Sequence, residues 1–177
     1  MDFNRIFEQI SPEDITDDIF TLVGKVHYVV TVGKPNDCNS MVGSGGGMGM
    51  TINRPTTWCV FPSNRYTLKL IKQKKSYTLS YFTEDYREQF MLFGQKSGRD
   101  SNKMKETELT IIETPLGNTS FEEARLIIEC ELTQISKAPI EDFYSKEAHE
   151  FLKKAYIEAG EIRNYVFGVI TSVNKKI

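Results

Sequence analysis

The stretch ARLIIECEL, residues 124–132, alternates between apolar and polar side chains and decides the fold class. A period of two residues predicts a β-strand with one face in the core and the other towards solvent. The inward set is Ala124, Leu126, Ile128, Cys130 and Leu132, and the outward set is Arg125, Glu129 and Glu131. Ile127 is the one position that interrupts this alternation.

Four further segments are rich in β-branched and aromatic residues and are predicted as strands. They are residues 19–32 (one or two strands, with a bend at Gly24), 57–61, 76–82 with Tyr77, Leu79 and Tyr81 on one face, and 165–173. Residues 33–50 are predicted as a loop. Strands do not alternate regularly with long helices, so the pattern favours a mostly antiparallel barrel or sandwich with a few short helices.

The helices are predicted from the spacing of apolar residues and from capping residues. They are a turn at 5–9, a basic helix at 65–75 capped by Ser63, a helix capped by Thr83 or Asp85 with Phe90, Phe93 and Gly94 on one face, and a helix capped by Ser145 with Ala148, Phe151, Leu152, Ala155 and Ala159 on its apolar face and Gly160 at its end.

Length and composition describe one domain over residues 1–177, with 40% hydrophobic residues and a net charge of −2. This charge argues against nucleic acid or an anionic membrane as a partner. The acidic start has neither the basic end nor the apolar core of a signal peptide. Three widely spaced cysteines form no disulfide framework or metal motif, so we expect a reduced, cytoplasmic protein.

Catalytic motifs are missing from the sequence. It has two histidines, and His149-Glu150-Phe151-Leu152-Lys153 has a lysine where a zinc protease needs its second histidine. No serine lies in a G-x-S-x-G turn, and no cysteine is paired by motif with a histidine. We therefore predict no catalytic side chain and no metal site.

Glycines are concentrated at residues 43–49, which hold five of the 12 in the chain. Their spacing is neither a dinucleotide-binding fingerprint nor a P-loop. Two interpretations remain open. The segment is either a flexible linker, which composition alone favours, or a backbone that approaches a flat ligand closely and offers it N–H donors.

Positive charge is concentrated at residues 65–105, where ten basic residues stand against four acidic ones. A local charge of +6 in an acidic chain suits a small anion such as a phosphate. Two segments have the residues of a phosphate site. SNRYT, residues 63–67, has hydroxyls and a guanidinium at a helix start, and KSGRDSNK, residues 96–103, has a Ser-Gly turn between cations.

In their order along the chain these segments resemble the flavin reductase-like, FMN-binding split-barrel family, of the flavoredoxin type. The resemblance covers about residues 20–170. Its landmarks are FTLV at 20–23, NSMVGS at 39–44, Arg54-Pro55, RYT at 65–67, LSYF at 79–82 and KSGRDSNK at 96–103. Many members have a tryptophan where this chain has Gly45, and a histidine near the position of Arg163.

The resemblance implies a six-stranded, mostly antiparallel Greek-key barrel that forms a homodimer with flavin near the interface. Residues Asn39, Met41, Val42, Gly43 and Ser44 would line the flavin ring, with Phe82 packed beside it. The phosphate and ribityl tail would contact Arg65, Tyr66, Thr67, Ser97, Gly98, Arg99 and Lys103.

The implied cofactor is FMN, with FAD as the other flavin to consider, and NAD(P)H is the implied transient donor. The expected function is that of an NAD(P)H-dependent flavin reductase or flavoredoxin-like electron carrier, with hydride transfer from nicotinamide to flavin. One alternative is a non-catalytic flavin-binding module that accepts electrons from a redox protein partner. Another is a barrel without flavin, whose glycine segment makes only dimer contacts.

Overall fold

The computed structural model describes residues 2–95, 97–99, 103–154 and 162–177. Within these ranges the chain forms ten strands, and every pair of neighbouring strands is antiparallel. They are β1 (Phe7–Ile10), β2 (Tyr28–Lys34), β3 (Asp37–Gly43), β4 (Gly46–Thr51), β5 (Arg54–Pro62), β6 (Ser76–Tyr81), β7 (Ile111–Glu113), β8 (Thr119–Phe121), β9 (Leu126–Ala138) and β10 (Arg163–Lys176). The mostly antiparallel β class is confirmed.

Eight of these strands form one sheet in the order β3-β2-β6-β9-β10-β5-β4, with β1 also paired to β10. The edge strands β3 and β4 are consecutive in the chain and are separated by Ser44 and Gly45. The Gly45 carbonyl accepts hydrogen bonds from the Val60 N–H at 3.1 Å and the Tyr28 hydroxyl at 2.6 Å. The chain thus passes directly from one sheet edge to the other, in keeping with a split barrel.

The sheet has eight strands, two more than the resemblance implies. Two predictions from the residue pattern are also wrong. Residues 5–9 do not form a helical turn, since a 3-10 helix at Phe3–Arg5 precedes β1. Residues 33–50 are not a loop, since β3 and β4 occupy most of them. The glycines of β4 have no side chains, so the strand shows no alternation in the sequence. Gly47 packs closely against Trp58, and a Cβ added to Gly47 would lie 2.5 Å from the indole ring.

Four α-helices lie in the described ranges: α1 (Ile19–Thr21), α2 (Tyr66–Lys74), α3 (Arg87–Gln95) and α4 (Lys146–Leu152). The strand predicted from residue 19 is wrong for its first half, because α1 continues into a π-helical turn at Leu22–Val26. Asp18 causes this helical start, since its carboxylate accepts the Thr21 N–H at 2.8 Å.

Capping follows the sequence at one helix and departs from it at two. Ser145 caps α4 through the Ala148 N–H at 3.0 Å, as predicted. At α2 the cap is Arg65, because the Ser63 hydroxyl is donated to the Ile162 carbonyl at 2.8 Å. Thr83 begins the 3-10 helix Glu84–Tyr86 before α3 without a side-chain cap bond. Part of the prediction for α4 lies outside the described residues, namely Ala155, Ala159 and the end at Gly160. Phe151 is predicted on the apolar face of this helix and is 62% exposed.

Two apolar clusters pack on opposite faces of the sheet. The barrel interior holds Tyr28, Phe61, Tyr77, Leu79, Tyr81, Ile128 and Cys130. The outer cluster joins α3 and the β7–β8 hairpin to the sheet through Phe82, Phe90, Phe93, Phe121 and Ile127. This second cluster explains why Ile127 interrupts the alternation, because the outer face of β9 is covered at that point rather than solvated.

Glu129 is fully buried, which corrects the prediction that it faces solvent. The β7–β8 hairpin covers it, and its Oε2 accepts hydrogen bonds from the Thr114 hydroxyl at 2.5 Å and the Asn118 amide at 2.8 Å. Burial is the main effect on this carboxyl and raises its pKa, while the hydrogen bonds oppose the rise. Folding therefore shifts this carboxyl towards its neutral form relative to an exposed glutamate.

Glu129→Gln is expected to gain stability relative to the wild type as the pH rises from 5 to 8. A carboxyl whose pKa is raised on folding contributes stability below its unfolded pKa and loses it as the pH rises through the folded value. The full difference is about 1.4 kcal/mol for each unit by which folding raises the pKa of Glu129. Urea unfolding of both proteins at pH 5 and 8 measures it, with exposed Glu131→Gln as the control. An unchanged difference would show that Glu129 is ionised throughout.

None of the helices in the described ranges is long and apolar enough to cross a membrane.

Candidate functional site

A cleft of about 490 Å³ opens between the end of β3, the adjoining part of β5, the start of α2 and the end of α3. It brings together eleven of the thirteen residues that the sequence assigns to a binding site. These are Asn39, Met41, Val42, Ser44, Arg65, Tyr66, Thr67, Ser97, Gly98, Arg99 and Lys103. Three segments that are far apart in the chain therefore face one common cavity.

The other two assigned residues do not line this cleft. Phe82 is 2% exposed and stacks on Phe90 in the outer cluster, with ring centroids 5.3 Å apart. Gly43 ends β3 beneath the ring of Tyr28, where an added Cβ would overlap the aromatic carbons. Lys96, Asp100, Ser101 and Asn102 of the quoted motif lie outside the described residues.

The cleft also contains residues that the sequence did not assign to it. They are Val60, Pro62, Asn64, Phe93, Gly94, Gln95 and Arg163. Pro62 and Arg163 are partners across the β5–β10 pairing, although they are about a hundred positions apart in the chain. Asn64 lies within residues 63–67, which the sequence predicts at a phosphate, so the local sequence could have indicated it. Pro62 and Arg163 come together only through the pairing of β5 with β10, which the local sequence does not show.

The start of α2 points into the cleft with backbone donors available. Arg65 has an extended conformation (φ −69°, ψ 128°) and makes no side-chain cap bond to the helix. The first N–H groups of a helix have no partner within it and carry partial positive charge. Thr67 is held by Asn39, whose amide donates to the threonine hydroxyl at 2.8 Å. This bond joins β3 to the helix start.

The turn at Ser97–Arg99 covers the same end of α2. The Arg99 N–H donates to the Ser97 hydroxyl at 3.2 Å, and the Arg99 guanidinium donates to the Asn64 carbonyl at 2.6 Å. The guanidinium also lies over the Tyr66 ring, 5.9 Å from its centroid, which is within the range of a cation–π contact. These contacts fix a cation beside the helix start.

Lys103 places a buried ammonium between these elements. It is 3% exposed, and its Nζ donates to the Phe93 carbonyl at 3.0 Å. Burial, with a smaller effect from the positive charge of Arg65, lowers the pKa of this lysine to about 8. Burying a cation costs free energy that a bound anion would offset.

The charged side chains in the described lining of the cleft are all basic. Among its described lining residues, Arg65, Arg99, Lys103 and Arg163 are basic and none is acidic. The net charge of the whole chain is −2, so this is a local concentration. Met41, Val42 and Phe93 add an apolar wall. The arrangement suits a ligand with a flat apolar part and a phosphate.

Gly98→Ala is expected to lower the affinity for a phosphate-bearing ligand at least tenfold. A Cβ at this position would overlap Asn39 Oδ1, and the turn that carries Arg99 would have to move. Gly24→Ala is the matched control, because its Cβ would meet no atom within 4 Å and this residue does not line the cleft. Calorimetric titration with FMN measures both variants. Equal affinity in the two would show that the turn does not position the ligand.

The fold and the cleft together define a split-barrel protein with a basic cleft. A family model described as the flavin reductase like domain matches residues 24–163. That range is more than half of the chain, which therefore belongs to the flavin reductase-like family. No curated protein sequence matches the chain.

Solved structures with the same fold include three informative relatives. An FMN-binding domain of flavin reductase-like enzymes from Shewanella baltica has a TM-score of 0.67 at 11% identity, over 96% of this chain and 76% of that one. Flavoredoxin from Methanosarcina acetivorans has a TM-score of 0.64 at 14% identity, over 94% of this chain and 74% of that one. An FMN-binding protein from Thermus thermophilus has a TM-score of 0.63 at 16% identity, over 94% of this chain and 76% of that one. At these identities the likeness shows the fold.

Proposed function

We propose that the cleft binds FMN, with the phosphate between the start of α2 and the side chains of Ser97, Arg99 and Lys103, and with the ring against β3. The observation that carries this proposal is the donor set. Four basic side chains and the helix N–H groups converge on one cavity whose described lining holds no carboxylate. A volume of about 490 Å³ lies within the usual range of cofactor pockets. The names of the Shewanella and Thermus relatives, which include FMN binding, support the same cofactor.

The side chains of β3 would orient the ring. Met41 and Val42 offer apolar contact, and Ser44 follows at the point where the chain crosses to β4. In the described sheet, β3 is an edge strand, so the backbone groups along its outer side face no strand partner. Such groups are donors and acceptors for the polar edge of a flat ligand.

We infer that the chain is an NAD(P)H-dependent flavin reductase or a flavoredoxin-like electron carrier. Bound FMN would supply the ring that accepts a hydride from a nicotinamide. The contribution of this chain is to hold that ring with one face accessible, within reach of the donor, and to balance negative charge with Lys103 and Arg99. The sequence carries no motif for a nucleophile or an acid–base pair that would indicate another reaction.

A second candidate is a flavin-binding module that takes electrons from a redox protein. Arg163 favours it, because this cation lines the cleft near the position where many relatives, by the resemblance, have a histidine. A guanidinium cannot transfer a proton near neutral pH, whereas an imidazole can. Reduction by a protein donor needs no nicotinamide beside the ring.

Absorption spectroscopy of the purified chain tests both candidates. After addition of FMN and gel filtration, the protein is expected to retain a shifted flavin spectrum. Two results would support the reductase. NADH or NADPH is oxidised only when the flavin is present, and the bound flavin loses its colour when either is added under anaerobic conditions. Retained flavin that only a ferredoxin-like donor reduces would select the second candidate. A colourless protein would contradict both.

We also propose that the chain forms a homodimer through the edge at β4. Met50 and Ile52 are 66% and 72% exposed there. They lie next to a depression of about 230 Å³ whose lining is mostly apolar (Pro12, Ile15, Ile19, Met48, Met50, Pro55 and Ile170) and also includes the carboxylates of Glu13 and Asp17. Exposed apolar edge strands are usually covered.

Sedimentation is expected to show a dimer that the double variant Met50→Lys, Ile52→Lys converts to a monomer. Leu116→Lys, at another exposed position, should leave it dimeric, and a monomeric wild type would contradict the proposal.

A further inference from the structure

A second cavity, of about 550 Å³, adjoins the cleft on the other side of the Ser97–Arg99 turn. The two cavities share five lining residues: Asn39, Tyr66, Gly98, Arg99 and Lys103. We call the second cavity the side groove. The residues proposed to hold the flavin phosphate thus also form the near end of the side groove.

Three elements build the side groove. Tyr66, Leu70 and Lys74 follow each other at intervals of four along α2 and form one wall. The hairpin between β2 and β3, residues 35–38, forms the facing wall, and residues 104–105 form a third. From Tyr66 to Lys74 the groove runs about 12 Å along the helix. The Lys74–Asp37 ion pair, 3.3 Å long, lies at its far end.

The described lining of the side groove combines cations with apolar side chains. Arg99 and Lys103 stand at the junction with the cleft, and Lys105 and Lys74 lie along the groove. Apolar surface comes from Val32, Leu70, Met104 and Ile111, and Asp37 is the one carboxylate among the described lining residues. Cations beside apolar side chains suit a phosphate that carries a flat, apolar base.

We propose that the side groove binds the nucleoside phosphate half of a flavin dinucleotide, so that the chain binds FAD more tightly than FMN. This inference rests on the proposed function, because the flavin mononucleotide half would occupy the cleft as described. The second phosphate would lie beside Arg99 and Lys105, and the base would pack against Leu70 and Ile111. A separate nucleotide has the same chemistry and is the other source that an experiment must distinguish.

Titration of the full chain with FMN and FAD, followed by flavin fluorescence, tests the inference. We expect the Kd for FAD to be at least tenfold lower than that for FMN. The double variant Lys74→Ala, Lys105→Ala should remove most of this difference and leave the Kd for FMN within twofold. Lys69→Ala with Lys72→Ala, on the exposed side of α2, is the matched control and should retain the preference.

Adenosine monophosphate distinguishes the sources. At saturation it should raise the apparent Kd for FAD towards that for FMN and leave FMN binding unchanged. If it binds equally well to the FAD-loaded protein, the groove takes a separate nucleotide and the inference is overturned. Equal Kd values for FAD and FMN would also overturn it and leave the proposed function standing. Binding of neither flavin would contradict the proposed function itself.

Discussion

Replacing Lys103 with methionine is expected to weaken FMN binding by about 100-fold. A charge-assisted hydrogen bond to a phosphate contributes about 2–3 kcal/mol when both groups are buried, and this ammonium is buried in the cleft. Methionine preserves the length of the side chain and removes a buried charge, so folding should be as favourable as in the wild type. Calorimetric titration with FMN at pH 7 measures the loss.

The pH dependence of binding separates a direct contact of Lys103 from an indirect one. The pKa of Lys103 is lowered to about 8, so the ammonium is mostly charged at pH 7 and is lost above pH 8. A phosphate is already a dianion there, since its second pKa is about 6. Wild-type affinity should therefore fall between pH 7.5 and 9, and in Lys103→Met this fall should disappear. Lys69→Met, on the exposed side of α2, should behave as the wild type. If Lys103→Met binds FMN as tightly as the wild type, Lys103 does not contact the ligand.

Gly46→Ala is expected to destabilise the protein by about 4 kcal/mol, because it combines backbone strain with steric overlap. Gly46 has a φ of +140°, and an added Cβ would overlap the carbonyl oxygen of Trp58 on the paired strand β5. This residue begins β4 where the chain crosses between the two sheet edges. Thermal unfolding should show a Tm lowered by about 10 °C, since each kcal/mol corresponds to about 2–4 °C in a domain of this size.

Gly45→Ala is the neighbouring control for Gly46→Ala. Its Cβ would make an ordinary 3.6 Å contact with Val60, so a change below about 1 kcal/mol is expected. The contrast tests whether the glycine segment is an ordered corner of the barrel. Equal and small effects at both positions would support the flexible linker that composition alone favours.

Much of the barrel could be predicted because its strands carry their pattern locally. Tyr77, Leu79 and Tyr81 share a face in the sequence and lie together in the barrel interior, as Leu126, Ile128 and Cys130 do on β9. Glu129 escaped prediction because the hairpin that buries it is formed by residues 111–121, and strand alternation does not report what covers the outer face. The strand β4 escaped because glycine has no side chain to alternate.

Local segments also explain which parts of the cleft could be predicted. The helix start at Arg65–Thr67 and the Ser97–Arg99 turn are each visible as short runs of donors, and the structure brings them together. The ring of Phe82 was assigned to the site and instead lies in the outer cluster, because the strand alternation does not specify which layer covers each face. Arg163 joins the cleft through the β5–β10 register, which no local pattern reports.

The central claim is that the cleft recognises a flavin through its phosphate, and a comparison of FMN with riboflavin tests it most directly. Both ligands have the same ring, and only FMN offers a dianion to Arg65, Arg99, Lys103 and the start of α2. Titration of the wild type at pH 7 and low salt should give a Kd for FMN at least 100-fold lower than that for riboflavin, about 2.7 kcal/mol. Equal affinity for the two, or binding of neither, would contradict the account.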